Sequence, residues 1–249
     1  KYVNYLLLSA IIACMPLVSF AGTNLAPDDP VGISFWIISV AMVAATAFFF
    51  LESLRVQGKF RTSLVVGGLI CLVAGVHYFY MREVWAATGS SPTVFRYVDW
   101  IVTVPMQMIE FYLILAAVTA VSLGVFWRLL IGTVVMVVAG YLGEAGFIDT
   151  TIGFVVGMAG WAYILYEIFS GEASASASKA TPAVQSAFNT MKWIVTIGWA
   201  IYPLGYFLGY LAGGTDDATL NIVYNVADFI NKIGFCLAIW AAATTQADA

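Results

Sequence analysis

Charge is scarce in this chain: Asp, Glu, Lys and Arg make up 10% of its 249 residues, against ~25% in an ordinary globular domain. With 62% hydrophobic residues and a mean hydropathy of +0.93, it exceeds the apolar content of a water-soluble globule, which is about half. Basic residues are few as well, 10 Lys and Arg against 14 acids for a net charge of -4. No patch can then neutralise a run of phosphates, so nucleic-acid binding is excluded. Cysteine is limited to Cys14, Cys71 and Cys236, odd in number and set in apolar runs, which leaves them as packing residues without a disulfide framework. His77 is the single histidine, so no histidine cluster exists and no metal site is expected.

What is abundant is apolar sequence. Seven stretches of roughly 20 residues, the length that crosses a bilayer core, fall near 30–53, 62–84, 94–121, 125–143, 151–170, 186–212 and 219–244. Lipid offers the backbone no hydrogen-bond partner, so each must be helical. The expected fold is an all-α membrane protein, a seven-transmembrane-helix bundle spanning 22–249. Residues 1–21 carry one basic residue, a short apolar run broken by Pro16 and the ending Ser19-Phe20-Ala21. That is the pattern of a secretory signal peptide; a short extra membrane helix is the other reading. Arg55, Lys59, Arg61, Arg128 and Lys179 fall in or beside alternate connections, and Asp28, Asp29, Asp149, Asp216 and Asp217 fall at the opposite ends. The basic side should be cytoplasmic, which puts the N-terminus outside and the C-terminus inside. The Ala/Ser-rich stretch 170–186 reads as a flexible linker, and Gly205-x-x-x-Gly209 as a place where two helices approach closely.

Against this background the few ionisable groups inside the spans stand out. Lys232 lies in the middle of the last span, four residues after Asp228, so one helical turn places amine and carboxylate on one face. A charge at that depth is normally paired and functional. Desolvation favours the neutral amine, a nucleophile that condenses with aldehydes; the alternative is a structural ion pair between helices. The third span adds Arg96, Asp99 and Glu110, which must face the bundle interior. From Asp99 to Glu110 the helix makes about three turns, returning to one azimuth roughly 16 Å further along. Two acids at two depths with an amine between them are the minimum wiring for a directional proton relay. Arg96, one turn outward, can offset the carboxylates, and Thr103, one turn inward, can donate its hydroxyl to Asp99. His77 is read either as a core residue or as a modulator of a nearby carboxylate. Trp199, Tyr202 and Pro203 share one turn of the sixth span, and with Trp100 and Trp161 they either pack ordinarily or wall a long flat apolar ligand on Lys232. Pro105 and Pro203 should kink their helices.

The segments RYVDWIVTVPMQMIEFYLILAA, WAIYPLGY and YNVADFINK, with GMAGWAYILYEI and YLGEAG, resemble microbial rhodopsins, most nearly the marine bacterial proteorhodopsins. The resemblance covers essentially all the chain after the signal-like segment. It implies a light-driven outward proton pump, not an enzyme, in a bacterial inner membrane. Lys232 would hold all-trans retinal as a protonated Schiff base, with Asp99 as counterion and proton acceptor, Asp228 as second counterion and Glu110 as cytoplasmic donor. Arg96 would belong to the counterion complex, and His77 would pair with the acceptor aspartate. Trp100, Trp161, Trp199 and Tyr202 match pocket aromatics, beside Pro203, and glutamine at Gln107 implies blue absorption where leucine gives green. The triplet Asp99, Thr103, Glu110 is the proton-pump set. The resemblance also implies homo-oligomeric rings of five or six, in which His77 reaches a neighbour with Trp36 as one candidate contact. The rival readings are a slow photosensor signalling through a partner, and a seven-helix carrier in which Lys232 is only an ion-pair partner.

Overall fold

The computed structural model describes residues 25–247; the expected signal segment and Cys14 lie outside them. Among the described residues seven helices are long and apolar enough to cross a membrane: α1 Pro30–Ser53, α2 Gly58–Thr88, α3 Thr93–Ala116, α4 Leu123–Glu144, α5 Thr150–Ala177, α6 Pro182–Leu211 and α7 Asp217–Ala247. Several of their starts are chemically marked. Asp29 accepts the N–H groups of Val31 and Gly32 at 3.1 and 3.0 Å, with Pro30 opening α1. Asp149 does the same for α5 and Asp216 for α7, each satisfying donors that have no partner within the helix. The Thr219 N–H holds the Asp216 carboxyl below the usual carboxylate range. The second oxygen of Asp29 takes the Trp85 indole N–H at 3.0 Å, which ties the start of α1 to the end of α2.

Neighbouring helices α1 to α4 pack in chain order, α4 lies on α5, and α7 closes the bundle against α1, α2 and α6. The α4–α5 contact runs backbone to backbone: a Cβ on Gly160 would sit 2.8 Å from the Gly132 carbonyl, and one on Gly153 would sit 2.7 Å from Gly143 Cα. Small residues thus set this spacing, as expected where lipid supplies no hydrophobic drive. Gly205 serves a similar end between α6 and α7, since its missing side chain is where the Tyr224 ring lies.

The flexible linker expected over 170–186 is not observed. Residues Glu172–Ala177 are helical and continue α5 after a joint at Gly171, with Ala173 and Val184 buried. Alanine and serine are small enough for this segment to lie against α3. The joint is fixed by Glu167, which accepts the Ala173 N–H at 3.0 Å and a two-pronged contact from Arg128 at 2.8 and 3.2 Å. The third span also ends five residues early, at Ala116, whose carbonyl accepts the Lys59 ammonium at 2.6 Å.

Candidate functional site

Lys232 is the centre of the bundle's polar interior. Its Nζ lies 2.6 Å from Asp99 Oδ2 and 2.8 Å from Asp228 Oδ2, with all three side chains buried. The same-turn spacing of Asp228 and Lys232 therefore does produce a contact, and α3 supplies the second acid. The two acids are not equivalent. Asp228 Oδ1 accepts Tyr202 at 2.6 Å, and its Oδ2 accepts Tyr78 at 2.8 Å and Trp100 at 3.4 Å besides the lysine. Asp99 has Lys232 alone on Oδ2, and its Oδ1 has no hydrogen-bond partner.

Three expected partners of the acids point elsewhere. The Thr103 hydroxyl donates to the Asp99 backbone carbonyl at 3.0 Å and not to its carboxylate; a threonine inside a helix reaches back one turn to the i-4 carbonyl by default. His77 Nδ1 lies 2.9 Å from the Val73 carbonyl, and with Asp99 Oδ1 unpartnered the two share no hydrogen bond. Arg96 forms no ion pair with either acid: it donates to Tyr78 Oη at 3.3 Å, Asn221 Oδ1 at 2.7 Å and Asn225 Oδ1 at 3.0 Å. Trp36 packs against the Phe79 ring and under the Arg82 guanidinium.

A cavity of about 770 Å3, counted to its mouth, runs from Lys232 and Asp228 between α3, α4, α5 and α6. Trp100, Gln107, Trp161, Trp199, Tyr202 and Pro203, all read from the sequence as candidate lining, do line it, and Gly140, Gly153 and Gly157 thin the opposite wall. Flat aromatic walls, glycine gaps and a single amine at one end fit an elongated apolar group joined to Lys232 Nζ.

The walls are held in place by backbone carbonyls that the helices themselves release. In α6 the residues Ile194–Gly198 form a π-type turn, in which the Trp199 N–H bonds Ile194 at 3.0 Å and leaves the Val195 carbonyl free. The Trp161 indole N–H takes it at 3.0 Å. Next, the Tyr202 N–H bonds Trp199 at 3.1 Å in place of Gly198, and the Asn231 amide takes the Gly198 carbonyl at 2.9 Å. In α7 a second such turn over Phe229–Gly234 carries Lys232, and there the Gln107 amide reaches the Asn231 carbonyl at 3.0 Å. Buried carbonyls need partners, so these turns convert helix irregularity into cross-links at the site, as is common for π-type turns.

Glu110 lies apart, buried with the Ser63 hydroxyl facing its carboxyl, although neither group makes a hydrogen bond of ordinary geometry. Sequence reading passed over Ser63, Tyr78, Asn221, Asn225 and Asn231. Their signal was present only as polar residues inside apolar spans, among them the one-turn pair Asn221 and Asn225.

Comparison with known proteins bears directly on this arrangement. The model of the bacteriorhodopsin-like protein family matches residues 29–246. The chain is 51% identical over 243 residues to the blue-light absorbing proteorhodopsin of Gamma-proteobacterium Hot 75m4, covering 97% of this chain and 96% of that one. It is 50% identical over 242 residues to the green-light absorbing proteorhodopsin of Gamma-proteobacterium EBAC31A08, covering 97% of each. The crystal structure of the blue light-absorbing proteorhodopsin from Med12 matches with a TM-score of 0.76 at 54% identity, over 87% of this chain and 98% of that one. A family model matched over residues 29–246 and relatives half identical over nearly the whole chain place it in the bacteriorhodopsin-like family of microbial rhodopsins.

Proposed function

We propose that this chain is a light-driven outward proton pump whose pocket holds all-trans retinal on Lys232 Nζ. When bound, retinal supplies visible absorption and a light-triggered change of shape. The protein supplies the direction. The observation that carries the reading is the inequality of the two acids. Asp228, held by two tyrosines and Trp100, is fixed as a stable negative charge. Asp99, with one oxygen on Lys232 at 2.6 Å and the other empty, is the carboxyl free to accept the proton at Lys232 Nζ. Glu110, deeper along α3 with the Ser63 hydroxyl facing its carboxyl and no ion pair, returns one.

Direction follows from the ends of the bundle. Arg55, Lys59, Arg61, Arg128 and Lys179 lie at the end toward which Glu110 is displaced, and Asp29, Asp149 and Asp216 at the end nearer Asp99. With basic residues facing the cytoplasm, protons enter by Glu110 and leave beyond Asp99. Illuminated cells supplied with retinal should acidify their medium, and a protonophore should abolish the signal. A photocycle lasting seconds without measurable current would instead mark a photosensor.

Gln107 bears on colour. Its amide is anchored on the Asn231 carbonyl, one residue from Lys232, and faces the cavity, so its dipole acts on any charge displaced along a bound polyene. Blue absorption is what the family resemblance implies for glutamine at this position, consistent with the name of the relative at 51% identity. Gln107→Leu should move the absorption maximum to longer wavelength; a maximum that stays in place removes the basis for this assignment.

A further inference from the structure

The Arg96 guanidinium is buried yet bound to neutral groups. Both amide oxygens that hold it, from Asn221 and Asn225, sit on one face of α7 a turn apart. Their orientation is fixed from behind, because Asn221 Nδ2 donates to the Asp217 carbonyl at 2.7 Å and Asn225 Nδ2 to Ser34 Oγ at 2.8 Å. With both NH2 groups committed, each amide can present only its oxygen to the arginine. The rings of Phe35 and Tyr224 flank the guanidinium at 5.6 and 5.3 Å, which favours the cation where it stands. Its nearest link to the acids is Tyr78, whose hydroxyl accepts from Arg96 at 3.3 Å and donates to Asp228 at 2.8 Å.

We propose that Asn221 and Asn225 are positioning residues that park Arg96 one tyrosine away from Asp99 and Asp228, so that the proton acceptor does not have the guanidinium as a direct counterion. The inference builds on the acceptor role given to Asp99 above. Asp99 is faced by Lys232 and Asp228 from α7 and by Tyr78 and His77 from α2; Arg96 of its own helix reaches it only through Tyr78, and Tyr202 of α6 only through Asp228. Arg96 is held by neutral acceptors, whereas Lys232 contacts both acids directly. An asparagine that no longer accepts would leave the carboxylates as the strongest partners within the guanidinium's reach.

The test is infrared titration of the protonated-carboxyl stretch of Asp99, assigned by its loss in Asp99→Asn, on the full chain with and without retinal. Asn225→Leu and Asn221→Leu should each lower the midpoint by about 1 pH unit or more, since an opposite charge brought within contact range favours the ionised carboxylate by about that much. Asn225→Asp, which keeps the arginine parked and adds negative charge, should raise it, and this variant retains the buried polar contact if the leucine variants fail to fold. In an Arg96→Gln background the Asn225→Leu shift should vanish, the signature of a coupled pair. Midpoints that coincide with the parent's in these variants, or a shift that survives Arg96→Gln, would overturn the proposal. Because the carboxyl band is read without retinal as well, a chain that formed no visible pigment would defeat the pump reading and still decide this one.

Discussion

Lys232→Ala yields a chain that develops no visible band with retinal, and borohydride reduction then leaves no label on α7. Loss of the attachment point explains the first effect. The second effect is on the fold itself, because Lys232 is the cation that balances two buried acids at 2.6 and 2.8 Å. Removing one partner of a buried pair typically costs about 3–5 kcal/mol. The two acids share that cost unequally. Asp228 keeps Tyr78, Tyr202 and Trp100, whereas Asp99 is left with no side-chain partner on either oxygen. Asp99 must therefore take up a proton or move. At about 2–4 °C per kcal/mol for a chain of this size, the apparent melting temperature of the detergent-solubilised, retinal-free protein should fall clearly below the parent's. Adding Asp99→Asn to Lys232→Ala should restore most of the loss, since an amide needs no counter-charge. A Lys232→Ala chain as stable as the parent at neutral pH would show that the acids do not depend on the ammonium.

The spans were legible because lipid imposes one rule on all of them: an apolar run of bilayer length has to be helical. Accordingly 30–53 coincides with α1, and the other six differ from the helices mainly at their ends. The failures lie where a specific contact overrides that rule. Ala116 ends α3 because Lys59 reaches its carbonyl, and 172–177 is helical because Glu167 caps it and its small side chains fit α3. Neither pairing is visible in local composition. The site residues were legible for a related reason, since a Lys, Asp or Glu in hydrocarbon is conspicuous and Lys232, Asp99 and Asp228 do converge. Their hydrogen bonds were not. Spacing put Thr103 beside Asp99, but helix geometry offered its hydroxyl a nearer backbone acceptor. The π-type turns that release the carbonyls of Val195 and Asn231 leave no mark that hydropathy can register. Asparagine was undervalued throughout: Asn221, Asn225 and Asn231 are uncharged, yet each bridges α7 to another helix.

Asp99→Asn should abolish net proton transport while leaving retinal bound, and Glu110→Gln should leave transport running but slow the return of the proton to Lys232. Both expectations follow from hydrogen-bond inventories. An asparagine at 99 can still accept from Lys232 Nζ, so the pocket keeps its shape, but it cannot take the proton. Asp228 does not substitute, because Tyr202, Tyr78, Trp100 and Lys232 already fill its oxygens. Glu110 is the reverse case. A buried carboxyl with no ion-pair partner, faced by the Ser63 hydroxyl, avoids the cost of an unpaired buried charge by carrying its proton, which suits it to give that proton up only when a base appears at Lys232. Removing a positioned acid usually slows such a transfer by about 100-fold or more. Flash absorption spectroscopy on the purified pigment would time the return step, and a pH electrode in a suspension of illuminated cells would measure transport. Acidification by Asp99→Asn at the parent's rate would move the acceptor role to another group. A return step unchanged in Glu110→Gln would mean that protons reach Lys232 from the cytoplasmic end without α3.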